Sequence, residues 1–163
     1  MKRVWAVFGS ALFFFIAPGT VAGVIPWWIS RWHMSASFFG IVPLRALGIS
    51  LIAAGLAVVV ESFVRFALQG LGTPAPIAPA QRLVVSGLYR YVRNPMYLGV
   101  LAAIVGQALL FSSVGLLVYA VVVALSFQAF VVIYEEPTLR ATFGSDYEAF
   151  CARVPRWIPR ARR

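Results

Sequence analysis

The sequence predicts an all-α polytopic membrane protein with about four transmembrane helices and a short helical cytosolic C-terminal cap. Three observations predict it. Of 163 residues, 61% are hydrophobic and only 12% charged, whereas about a quarter of a soluble domain is charged. That leaves too little polar surface to cover a soluble globule. Four apolar segments also approach the roughly 20 residues needed to cross a bilayer. Finally, the basic residues gather on one side of those segments. The length indicates a single domain over residues 1–163. Two N-terminal helices fill 1–68; a loop, a helical hairpin and the cap fill 69–163.

The first apolar segment is WAVFGSALFFFIAPGTVAGVIPWWI, residues 5–29. Lys2, Arg3 and the small residues near Ala22 resemble a signal peptide, but apolar character runs on through Ile29, so a retained helix is expected. Pro18 is expected to kink it. The second segment is residues 47–68 and carries Glu61 and Arg65 one turn apart. Such a spacing suits an i, i+4 ion pair, yet an ionisable residue inside a membrane is also a functional candidate. Glu61 could face a lipid headgroup. The stretch GLGTPAPIAPA, residues 70–80, has three prolines within six residues, which excludes regular helix. It reads either as a plain linker or as a rigid lip beside a pocket.

The third segment, residues 96–111, is short and must borrow from its flanks; the fourth is 114–134. Ser112 and Ser113 form so tight a link that the two should make a helical hairpin. In the tail, Pro137 suits the first turn of a short helix and Gly144 can end it. Ser145 and Glu148 are spaced as a capping box for a second helix through about Arg153.

With both termini and the second connection on one side, that side holds Lys2, Arg3, Arg65, Arg82, Arg90, Arg93, Arg140, Arg153, Arg156, Arg160, Arg162 and Arg163; the other holds Arg31 and Arg45. Twelve against two places the first side in the cytoplasm. Trp27, Trp28 and Trp32 then belt the outer interface. The net charge of +9 is dispersed around apolar runs, which argues against a nucleic-acid partner. Cys151 is the single cysteine, so no intrachain disulfide forms, and no Cys/His cluster has zinc-site spacing.

Chemistry concentrates in GLYRYVRNPMYLG, residues 87–99. Asn94 is a good N-cap and Pro95 suits the first helical position. The third helix therefore starts here, with unpaired N–H groups, a positive dipole end, Arg90 and Arg93. Together these make an anion site, or else the arginines touch lipid phosphates and the tyrosines belt the interface. Glu135 and Glu136 close the fourth helix, where two carboxylates oppose its dipole. They point to a cationic or hydroxyl-rich partner, or to pairing with Arg93, Arg140 or Arg153. The hairpin brings the positive and negative ends together, and a zwitterionic ligand would fit between them.

Tyr89, Arg93, Asn94-Pro95-Met96-Tyr97 and Gly99 resemble the G-x-Y-x-x-x-R-(H/N)-P-x-Y-x-G signature of the membrane methyltransferases. That superfamily contains the isoprenylcysteine carboxyl methyltransferases and the phospholipid N-methyltransferases. Tyr134-Glu135-Glu136-Pro137, Phe143-Gly144, Tyr147 and Arg153-Val154-Pro155 are similar to its C-terminal pattern. The resemblance covers about residues 70–159. It implies a cofactor, S-adenosyl-L-methionine, at the cytosolic ends of the last two helices, next to the cofactor-binding loop. By position, Tyr89, Arg93 and the stretch Asn94, Pro95, Tyr97 and Gly99 would hold its amino-acid end. Glu135 and Glu136 would bind its ammonium or ribose. Arg153 would close the site or orient the substrate, and Glu61 could deprotonate an amine acceptor. The acceptor would be a membrane lipid or another lipophilic molecule, phospholipid amine or isoprenoid-type carboxylate or thiol, in the inner cell membrane. Where many members carry histidine this chain has Asn94, which caps but does not titrate near neutral pH. Two other readings stand beside this one. One is an NADPH-dependent membrane reductase related to the sterol reductases, which generally have more helices. The other is a non-catalytic lipid-binding subunit.

Overall fold

The computed structural model describes residues 16–65 and 83–159. The expected proline-rich lip, the start of the first apolar segment and the basic C-terminal residues lie outside them. The described residues form helices and connections, with no strand among them.

Helix α1, Ile16–Ser30, is apolar and contains a π turn at Thr20–Val24, just after Pro18, where a kink is expected. A π turn shifts the backbone register. In α1, other helices reach its carbonyls: the Tyr119 hydroxyl donates to the Val21 carbonyl at 2.9 Å and Gln107 Nε2 to that of Ala22 at 2.7 Å. Arg31 ends the helix in a left-handed conformation, φ 50°.

Helix α2 is Pro43–Arg65 and helix α3 is Pro95–Phe111. They run antiparallel in backbone contact. A Cβ placed on Gly55 would lie 2.5 Å from the Gly99 carbonyl oxygen, and one on Gly48 would lie 2.6 Å from that of Gly106. Gly48, Gly55 and Ser62, spaced by seven, are all buried along this seam. In a bilayer, where burying apolar surface between helices gains little, such small residues permit close van der Waals packing. Around the seam sit Val59, Phe63, Val100, Ile104, Ala120 and Val123.

Ser112, left-handed at φ 55°, and Ser113 turn the chain into helix α4, Val114–Phe130. Ser113 Oγ caps it by accepting from the Leu116 N–H at 3.3 Å. The α3–α4 hairpin therefore forms as expected. A second π turn, Val131–Glu135, carries α4 into helix α5, Glu136–Phe143. Pro137 lies in the first turn of α5, and Gly144 ends it with φ 52°. Helix α6, Ser145–Arg153, follows directly. The capping box expected from Ser145 and Glu148 does not form. Gly144 holds the cap position without a side-chain bond, and Arg140 Nε takes the Glu148 carboxylate at 2.7 Å. Charge pairing outcompetes the neutral cap.

Two described stretches are long and apolar enough to cross a membrane: α2 and the continuous run Val114–Phe143. The 17 residues of α3 extend only about 25 Å, and α1 is described from Ile16 onward. Val118, Val121, Val122 and Leu125 are all exposed on α4, a surface suited to acyl chains rather than water. The C-terminal end of α2, the start of α3 and the end of α4 lie together, so the charged stretches converge there.

Candidate functional site at the charged end of the helices

Asn94 stands at the N-cap position of α3, but its side chain makes no cap bond. Instead Nδ2 donates to the Arg156 carbonyl at 3.3 Å. Pro95 is fully buried at the first helical position. Arg93 donates its backbone N–H to the Pro155 carbonyl at 2.9 Å. Its Nη1 reaches Glu136 Oε1 at 3.0 Å, Cys151 Sγ at 2.9 Å and the Tyr147 hydroxyl at 3.4 Å. Its Nε is buried without a partner among the described residues.

Glu136 is only 5% exposed and is gripped twice. Besides Arg93, Arg156 forks onto it, Nε to Oε1 at 2.7 Å and Nη2 to Oε2 at 3.0 Å. This bidentate geometry is the strong form of the ion pair. Glu135 differs. It accepts from the Tyr97 hydroxyl at 2.9 Å and has no ion pair among the described residues. The Tyr97 ring packs on Phe127, centroids 4.6 Å apart, and faces Trp157 at 6.3 Å. Trp157 Nε1 donates to Gln128 Oε1 at 2.7 Å. Segment 154–157 thus straps the start of α3 to α4 and α5.

Tyr89 is buried and shares a hydrogen bond with Ser62 on α2; burial pushes its phenol well above the ordinary value. Tyr147 is raised likewise by burial, then by its contact with Cys151. On the other flank, Glu61 Oε1 accepts from Arg65 Nε at 2.8 Å, while Oε2 is buried without a partner among the described residues. Gly87, φ +59°, lies so close to this pair that a Cβ would overlap Glu61 Oε1. A cleft of about 430 Å³ opens here, lined by Ala57, Val58, Glu61, Gly87, Leu88, Arg90 and Tyr91. That volume lies in the range of small-molecule sites.

The structure therefore brings Arg93, Asn94, Tyr97, Glu135 and Glu136 together. Arg90 goes to the cleft beside Glu61 instead. Gly99 lies in the α2–α3 seam, where a Cβ would meet the Gly55 carbonyl oxygen and Val59 Cγ2, each at 2.8 Å. Arg153 is exposed and its Nε turns back to the Ala149 carbonyl at 3.1 Å. Three residues later, Arg156 supplies the guanidinium that the network uses. The sequence reading missed Arg156, Trp157, Tyr147, Cys151 and Ser62 as site-forming residues. The available signal was the Val-Pro break after α6, which turns the following arginine back toward the helices.

These features define a helical membrane protein with a buried charge network and an adjoining cleft at one end of its helices. Residues 44–146 match the model of the phospholipid methyltransferase family. The chain belongs to that family. It is also 38% identical over 79 residues to protein-S-isoprenylcysteine O-methyltransferase B of Arabidopsis thaliana; the match covers 48% of this chain and 40% of that protein. No solved structure matches the chain.

Proposed function

We propose that the chain is an S-adenosylmethionine-dependent methyltransferase acting on a lipophilic acceptor at the cytosolic face of the membrane. One observation carries this reading: Glu135, with a phenol but no described guanidinium on its carboxylate, adjoins Glu136, whose partner Arg93 has a buried Nε without a partner among the described residues. The residues fit the cofactor on chemical grounds. The Arg93 Nε–H suits its carboxylate, and Glu135 suits its ammonium or ribose hydroxyls. Glu136 already holds two guanidiniums, so its task is to fix Arg93. S-adenosylmethionine supplies an electrophilic methyl on a sulfonium that leaves as a neutral thioether.

The protein's contribution is then largely positioning. Tyr97 orients Glu135, and the strap at 154–157 covers the pair. The cleft at Glu61 and Arg90 is the acceptor side, its Ala57, Val58 and Leu88 walls suiting an apolar chain. The Glu61 carboxylate lines that cleft and is the group placed to accept a proton from an amine acceptor. Buried Tyr89, bonded to Ser62 next to Glu61, separates the two halves.

The test is transfer of labelled methyl from S-adenosylmethionine into total membrane lipids, with the product identified by mass spectrometry. A labelled lipid is expected, together with saturable cofactor binding that Arg93→Ala and Glu135→Ala each weaken about tenfold or more. No labelled lipid and no retained cofactor would instead support a non-catalytic lipid-binding subunit.

A further inference from the structure

We propose that Arg156 is a specificity-determining residue that makes the site complementary to a zwitterion. The inference rests on the cofactor reading above and extends it to a residue outside the recognised signature. Two adjacent glutamates alone would make a doubly negative site, suited to a cation. In the structure Arg93 and Arg156 both bind Glu136. One carboxylate under two guanidiniums leaves a cluster of net charge +1. Glu135, next in the chain, supplies −1 when ionised, and among the described residues only a phenol is bonded to it. The result is a positive centre at Glu136 and a negative centre at the neighbouring residue, with no net charge between them. The buried Arg93 Nε, without a partner among the described residues, is the donor through which the positive centre meets a ligand carboxylate.

Removing Arg156 would leave Glu136 balanced by Arg93 alone. Glu135 would then set the net charge of the site at −1. The carboxylate of a ligand that also bears an ammonium would lose the field of the positive centre, and a purely cationic ligand would lose nothing. The fold should survive the change. The strap is also held by the Arg93 N–H to the Pro155 carbonyl at 2.9 Å and by Trp157 Nε1 to Gln128 at 2.7 Å, neither of which uses the Arg156 guanidinium.

The test is equilibrium binding by the purified full chain in lipid nanodiscs, with two probes: S-adenosylmethionine and its decarboxylated form, which lacks only the carboxylate. Arg156→Gln is expected to weaken the first about tenfold and the second less than about threefold. Arg156→Lys, which restores the charge without the fork, should recover part of the loss. Equal weakening of both probes would overturn the proposal, since a merely structural role affects them alike. Unchanged binding of both would overturn it too. Trp157→Ala, which disturbs the strap but not the charges, should weaken both probes alike; a preference for the decarboxylated form in that variant would also overturn the proposal. A wild type that binds neither probe would sink the cofactor reading and this inference together.

Discussion

Glu135 and Glu136 are neighbours in the chain and opposites in surroundings. Glu136 holds two guanidiniums in a buried network; Glu135 holds one phenol. Glu136→Gln should therefore destabilise the protein by about 2–3 kcal/mol, because it leaves two guanidiniums uncompensated, one of them partly exposed. Glu135→Gln should cost under about 1 kcal/mol while removing cofactor affinity. Thermal unfolding in detergent, measured beside cofactor binding, separates the two. Alkaline pH gives a second check. Tyr89 and Tyr147 are buried, and burial raises both phenols above their ordinary value of 10.0. Above about pH 10 the unfolded chain loses those protons and the folded chain keeps them, so stability falls as pH rises. The slope is about 1.4 kcal/mol per pH unit for each tyrosine. Tyr89→Phe should reduce the measured slope by about 1.4 kcal/mol per pH unit. At this scale the residue types were legible in the sequence and their partners were not. Asn94 marks the start of α3 as its chemistry dictates, yet its amide goes to the Arg156 carbonyl, 62 residues away. No local rule anticipates that bond.

Among the helices, the α2–α3 seam is the tightest contact. Gly55 and Gly99 face each other there, as do Gly48 and Gly106. Gly99→Val should cost about 1–3 kcal/mol or more, because the Gly55 carbonyl oxygen is backbone and cannot swing aside and the Val59 methyl beside it is buried in the core. The same change at Gly23, where a Cβ would meet nothing within 4 Å, should cost far less. Comparing the two unfolding midpoints in detergent checks this, and equal shifts would show that the seam is not the determinant. Helix existence and the two-serine hairpin were legible, since apolar runs and a link too short to be anything else specify them. The heptad of Gly48, Gly55 and Ser62 was equally present in the sequence, but it identifies a seam only once a partner with matching glycines is known. That ambiguity is why Gly99, part of a family signature, reads as a ligand contact in sequence and packs as a spacer in the fold. The π turns were not legible, because the side chains that bond the shifted backbone, such as Gln107 and Tyr119, come from other helices.

For the whole molecule, the fold sorts charge by end. Glu61, Arg65, Arg93, Glu135, Glu136 and Arg156 converge at one end of the helices, while Arg31 and Arg45 lie toward the other. The excess of basic residues at the first end predicts that it faces the cytosol, where a water-soluble cofactor is found. The single cysteine offers a direct test, since Cys151 lies on α6 beside Arg93. A membrane-impermeant maleimide should label it in inside-out vesicles and fail to label it in sealed right-side-out vesicles. Because Cys151 is half-buried in the network, weak labelling could reflect shielding rather than sidedness. Ser145→Cys in a Cys151→Ser background moves the thiol to an exposed position at the start of the same helix. Labelling of that variant from the outer face alone would invert the orientation and put the charge network on the side away from its cofactor. The methyltransferase reading would then lose its source of methyl groups.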